Sequence, residues 1–138
     1  MKLFLDTSAI AKRYIAEQGS DTVLRLCREA EQLAVSVICL PEMISTLNRL
    51  VRERRLSRAK YQVLKQTLLG DLAGADLCEL TTAVMRVVIR LLESNALRAM
   101  DAIHVASAAA YGAELFASAD LRQLAAARKL KLRVVDVS

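Results

Sequence analysis

Four carboxylates in this 138-residue chain fall where a fold can turn charge into chemistry: Asp6, Glu42, Asp101 and Asp120. Asp6 closes the apolar run Lys2–Leu5, and Glu42 follows Pro41 at a helix start. Asp101 opens an alanine-rich helix, and Asp120 comes just after Phe116-Ala117-Ser118. Singly, each has an ordinary explanation as an N-cap or a first-turn acid facing the helix dipole, worth ~0.3–1 kcal/mol. Gathered at one edge of a sheet they would repel, since like charges at ~4 Å cost about 4 kcal/mol at an effective dielectric of ~20. A divalent cation removes that conflict. Oxygen-only ligands with no cysteine or histidine cluster beside them favour magnesium or manganese over zinc. One or two such ions can polarise a phosphate, generate hydroxide from water and stabilise a leaving oxygen. The chemistry expected of the set is therefore phosphodiester hydrolysis without a protein nucleophile.

The acids can meet only if the chain carries them to one place. Ligands of open parallel sheets bind beyond the carboxyl ends of the strands, where strand ends and helix starts converge. Lys2–Leu5 reads as a first strand, and Thr7 or Ser8 caps a helix running to about Gln18. Gly19 ends that helix. Ser20 or Asp21 starts the next, with Val23, Leu24, Cys27 and Ala30 at helical spacing, and Leu33–Ile38 is a second strand. Pro41 suits a first helical turn, followed by a stripe of Leu40, Ile44, Leu47 and Val51. Ser57 begins a helix striped by Tyr61, Leu64, Leu68 and Leu72 that Gly74 ends, and Ala75–Leu80 is a third strand candidate. Thr81 or Thr82 caps a helix carrying Val84, Val87, Val88, Leu91 and Leu92. A further helix spans about Met100 to Tyr111, Glu114–Ala117 reads as a fourth strand, Leu121–Leu130 as a helix and Leu132–Val137 as a last strand. Strands alternating with helices predict an α/β fold with a helix-covered parallel sheet.

Composition narrows the classes. A 54% hydrophobic chain of this length can bury a core in one domain, 1–138, with one Pro, four Gly and no linker or repeat to divide it. Cys27, Cys39 and Cys78 are odd in number and widely spaced, which speaks against a disulfide framework or a zinc site. The longest uncharged stretch, Ala102 to Ala113, is too short for a bilayer, so no membrane partner and a cytoplasmic location are expected. The net charge of +5 favours a polyanionic partner, because lysine and arginine gain by releasing counterions from phosphates.

Four segments resemble the PIN-domain family, and within it the VapC-type toxins: Phe4-Leu5-Asp6-Thr7-Ser8, Pro41-Glu42, Met100-Asp101-Ala102-Ile103-His104-Val105-Ala106 and Phe116-Ala117-Ser118-Ala119-Asp120. The likeness covers essentially the whole chain, and its specificity lies in the order and separation of the pieces. It implies a three-layer α/β/α fold with a five-stranded parallel sheet, and Mg²⁺- or Mn²⁺-dependent endonuclease activity on RNA. It also implies homodimers and inhibition by a small VapB-like antitoxin. By that resemblance Asp6, Glu42 and Asp101 are the principal acids, Asp120 is a fourth acid near the metal, and Thr7, Ser8 and Ser118 are hydroxyls that orient carboxylates or water. The family's last motif usually has Thr where this chain has Ser118, which keeps the hydroxyl.

Other residues invite roles. His104, the only histidine, lies three residues after Asp101 on the same helix face and reads as a packed or supporting residue rather than a base. Arg49 to Lys60 concentrates six basic residues, with an RNA clamp, a solvated helix end and an antitoxin contact all open. Lys12, Arg13 and Tyr14 are candidates for lining a substrate groove, while Phe4 and Phe116 belong to the core. A phosphoacceptor receiver domain fits badly, because it needs adjacent acids after the first strand. A PIN nuclease of RNA processing or of structured DNA, and a catalytically silent RNA-binding module, stand as alternatives to the toxin.

Overall fold

The computed structural model describes every residue from Met1 to Ser138. Five strands, β1 (Lys2–Leu5), β2 (Gln32–Ser36), β3 (Asp76–Cys78), β4 (Leu115–Ser118) and β5 (Val134–Asp136), form one sheet in the order β3-β2-β1-β4-β5. Every pairing is parallel. Seven helices connect them: α1 (Thr7–Tyr14), α2 (Ser20–Glu29), α3 (Cys39–Arg52), α4 (Arg58–Ala73), α5 (Thr82–Ser94), α6 (Ala99–Tyr111) and α7 (Leu121–Lys129).

The period of two along β1 sorts the helices into layers. Phe4 points to one face, where Ala34, Phe116 and the buried sides of α5, α6 and α7 form a core. Leu3 and Leu5 point to the other, against Val23, Leu26, Met43, Leu68 and Leu72 of α2, α3 and α4. Phe4 and Phe116 are register partners with no exposed surface, their rings stacked at 6.0 Å. This is the three-layer α/β/α arrangement with a five-stranded parallel sheet that the sequence predicts.

Details near the site differ from expectation, and β3 and β5 are shorter than expected at both ends. Helix α1 stops at Tyr14 because Ile15 turns extended, and the chain folds back so that Lys12 Nζ reaches the Gln18 carbonyl at 2.6 Å and the Glu17 carboxylate at 3.2 Å. Strand β2 ends two residues early, since Ile38 already caps α3 and Pro41 becomes its third residue. Of the expected α3 stripe of Leu40, Ile44, Leu47 and Val51, Leu47 is buried and the others pack only partly, while Cys39 and Met43 complete the buried side.

The chain runs outward from β1 through β2 to β3, then crosses back to lay β4 on the other side of β1. Such a reversal opens a crevice at the carboxyl ends of the two central strands. Asp6 directly follows β1, and Ser118 is the last residue of β4.

Candidate active site

Asp6 is both the N-cap of α1 and the most enclosed of the acids, with 1% of its surface exposed. The Ala9 N–H donates to its Oδ1 at 2.9 Å, and the Ser118 hydroxyl donates to Oδ2 at 2.7 Å. The Ser8 hydroxyl is shared between both oxygens at 2.7 and 2.8 Å. Each serine is committed from its other side, since Ser8 Oγ accepts the Ala119 N–H and Ser118 Oγ the Asp120 N–H, both at 2.9 Å. With those lone pairs engaged, the two hydroxyl hydrogens are directed at Asp6. Burial nevertheless dominates and holds the Asp6 carboxyl above its ordinary pKa, against the pull of Ser118, His104 and Ser8.

Glu42 is set differently. Its Oε1 accepts the Thr7 hydroxyl at 2.5 Å and His104 Nε2 at 2.6 Å. Since an ionised carboxylate only accepts, the His104 proton resides on Nε2. Burial works to raise the Glu42 pKa, but the hydrogen bonds from His104 and then Thr7 outweigh it and leave the group below its ordinary value. His104 is buried on α6, one turn after Asp101, so α6 supplies an acid and also the donor that steadies the acid of α3. His104 is thus packed, and its contact with the site runs through Glu42.

Asp101 and Asp120 face each other from the starts of α6 and α7. Asp120 caps α7 through the N–H groups of Arg122 at 2.8 Å and Gln123 at 3.3 Å. Gln123 Nε2 donates to Asp101 Oδ1 at 3.0 Å. Desolvation first, and the charge of Asp120 second, hold Asp101 above the usual aspartate range. Nothing in the sequence marks Gln123, whose part comes from its fold position alone, 3% exposed beneath the acids.

All four acids line one open cavity of about 470 Å³, together with Thr7, Ser8 and His104. Ser118 lies beneath it, fully buried. Of the basic residues singled out in the sequence, Lys12, Arg49 and Arg55 reach the cavity wall. Arg13 and Tyr14 turn away to Asp71, at 3.3 and 2.7 Å, and line a separate cavity between α1 and α4. No three acidic, histidine or cysteine side chains close tightly enough to hold an ion by themselves. The cysteines are unpaired thiols, and no helix is long and apolar enough to cross a membrane.

No curated protein matches the chain by sequence. Among solved structures, FitAcB from Neisseria gonorrhoeae superposes with a TM-score of 0.74 at 20% identity, over 97% of this chain and 96% of that one. VapBC2 from Rickettsia felis, bound to a DNA fragment of its promoter, gives 0.70 at 15% identity with 100% of both chains covered. VapC20 from Mycobacterium tuberculosis, a sarcin-ricin loop cleaving toxin, gives 0.68 at 19% identity over 90% and 94%. At such identities the likeness is one of fold. The PIN domain family model matches residues 3–129, from within β1 to the end of α7, and the chain therefore belongs to the PIN domain family.

Proposed function

We propose that the chain is a magnesium- or manganese-dependent endoribonuclease, the toxin of a VapBC-type pair, working in the cytoplasm as a homodimer under the control of a VapB-like antitoxin. The observation that carries the reading is the meeting of Asp6, Glu42, Asp101 and Asp120 on one open cavity, each held by its own donors. The fold it shares with VapBC proteins supports the toxin assignment.

The donor set fits a hard cation. It is all oxygen, and two of its members, Asp6 and Asp101, are disfavoured as anions where they stand. The lack of a closed ligand cage suits an ion that keeps most of its water and takes only one or two carboxylates directly. When bound, such an ion neutralises phosphate charge and supplies hydroxide near neutral pH. Asp6, Asp101, Glu42 and Asp120 would hold it. Ser8 and Ser118 fix the Asp6 oxygens, His104 and Thr7 keep Glu42 ionised, and Gln123 sets the angle of Asp101. The scissile phosphate of an RNA chain would enter the cavity over these four groups.

Antitoxin-free protein should cleave a labelled single-stranded RNA pool in manganese, with ribosomal and transfer RNA included. EDTA should abolish cleavage, and so should Asp101→Asn. Folded wild-type protein that cleaves no member of the pool would end this reading.

A further inference from the structure

We infer that the four acids lie at the junction of two basic arms that grip single-stranded RNA on both sides of the phosphate to be cleaved. The inference rests on the nuclease reading above and names the side chains that hold its substrate. Glu42, Asp101 and Asp120 line the cavity already described and also a neighbouring groove of about 840 Å³. Arg49 and Arg55 stand on the wall of the first, and Arg98 and Arg122 on the wall of the second. A cation held by the acids would meet only the phosphate at the centre, so the attraction for the phosphates on either side comes from these flanks.

The second pair is the more telling. Arg98 immediately precedes α6 and makes no side-chain cap bond, and Arg122 is the second residue of α7. Positive charge at a helix N-terminus opposes the helix dipole, so neither arginine serves the helix it begins. Neither forms an ion pair, although each lies within three residues of a site carboxylate in sequence. Two guanidinium groups that harm local stability and have no protein partner are free for phosphate. In the other arm Arg49 and Arg55 share one carboxylate, Glu53, at 4.0 and 3.4 Å, which leaves positive charge unspent.

The strand state follows from the groove wall. Met100 is 50% exposed and lines the groove between the arginines, as does Leu121 at 66%. An unstacked base can cover such apolar surface beside a guanidinium plane, whereas in a duplex the base faces are already stacked on one another. Contacts on both flanks make an internal phosphate the one cleaved.

Binding of a labelled single-stranded RNA to Asp101→Asn protein in magnesium, followed by fluorescence anisotropy across a salt series, separates the arms. Arg98→Ala/Arg122→Ala and Arg49→Ala/Arg55→Ala should each lower the slope of log Kd against log salt by about 1.4, at ~0.7 for each single-strand phosphate that is no longer neutralised. Lysine at the same positions should restore the slope, and circular dichroism should show all variants folded. Neutral methylphosphonate linkages placed on one side of the mapped cleavage position should mask the effect of one pair, and linkages on the other side the effect of the other pair. An unchanged slope for the Arg98/Arg122 variant, or both pairs answering to the same side, overturns the two-arm grip while leaving nuclease activity intact. Absence of both cleavage by wild type and binding by Asp101→Asn would take down the nuclease reading with it.

Discussion

Ser118→Ala removes one oxygen from a fully buried position and is expected to cost about 3 kcal/mol. Two hydrogen bonds make up that figure. The hydroxyl donates to the buried Asp6 carboxylate at 2.7 Å, a charge-assisted bond worth ~1.5–3 kcal/mol, and it accepts the Asp120 N–H at 2.9 Å, whose removal adds about 1 kcal/mol. In a chain of this length the sum corresponds to roughly 10 °C in Tm. Only the first part depends on charge. Asp6 already has a folded pKa above its ordinary value, and removing a donor to its anion raises it further. The anion-dependent cost is thus complete above the variant's Asp6 pKa, and it fades as pH falls through that value and then the wild-type one. The amide part persists at every pH. Urea denaturation of wild type, Ser118→Ala and Ser118→Thr across pH tests this, with threonine recovering most of the stability because it keeps the hydroxyl. A Ser118→Ala protein within about 1 kcal/mol of wild type at pH values above the Asp6 titration, or equally weakened at all pH values, would refute the reasoning.

The other acids give further expectations. Asp101 is held above the usual aspartate range by burial and by Asp120, so its ionisation costs stability as pH rises through that value. Asp101→Asn keeps an oxygen for Gln123 and should be more stable than wild type by roughly 0.5 kcal/mol at neutral pH, with no difference in acid; a less stable variant at neutral pH contradicts the repulsion. Manganese should raise the Tm of wild type more than that of this variant, and equal rises would remove Asp101 from the metal site. His104→Gln should let the Glu42 pKa rise and move the acid limb of the pH–rate profile to higher pH, while an unmoved limb would mean that His104 does not act through Glu42. Gly19→Ala places a Cβ 2.0 Å from the Val137 carbonyl at φ +90° and should cost more than ~2 kcal/mol by thermal denaturation.

Much of the arrangement was legible because the strands are short apolar runs punctuated by caps, and the acids stand at those caps. Asp6 and Asp120 are N-caps in the structure and also line the cavity, so the ordinary explanation and the proposed functional one fall on the same residues. What the sequence hid was contact across the fold. Nothing local joins His104 to Glu42, 62 positions away, or Gln123 to Asp101, because those bonds exist only once α6 and α7 lie beside α3. The early end of α1 was hidden for a local reason, since Lys12 is drawn to a carbonyl six residues on rather than to solvent. The basic run from Arg49 to Lys60 showed charge without direction, and only Arg49 and Arg55 reach the acids' cavity.

The place of β1, between β2 and β4 in the sheet, bears on how the protein is born. Asp6 emerges during translation well before Ser118, which holds its carboxylate and follows 112 positions later. Until β4 is released and docks along β1, half of the crevice is missing, Asp120 among it, and the four acids have not been brought together. A pairing of such separation is slow to form. While the residues between β1 and β4 are being made, the acidic cavity therefore stays incomplete, and it takes shape only in the step that pairs β4 with β1.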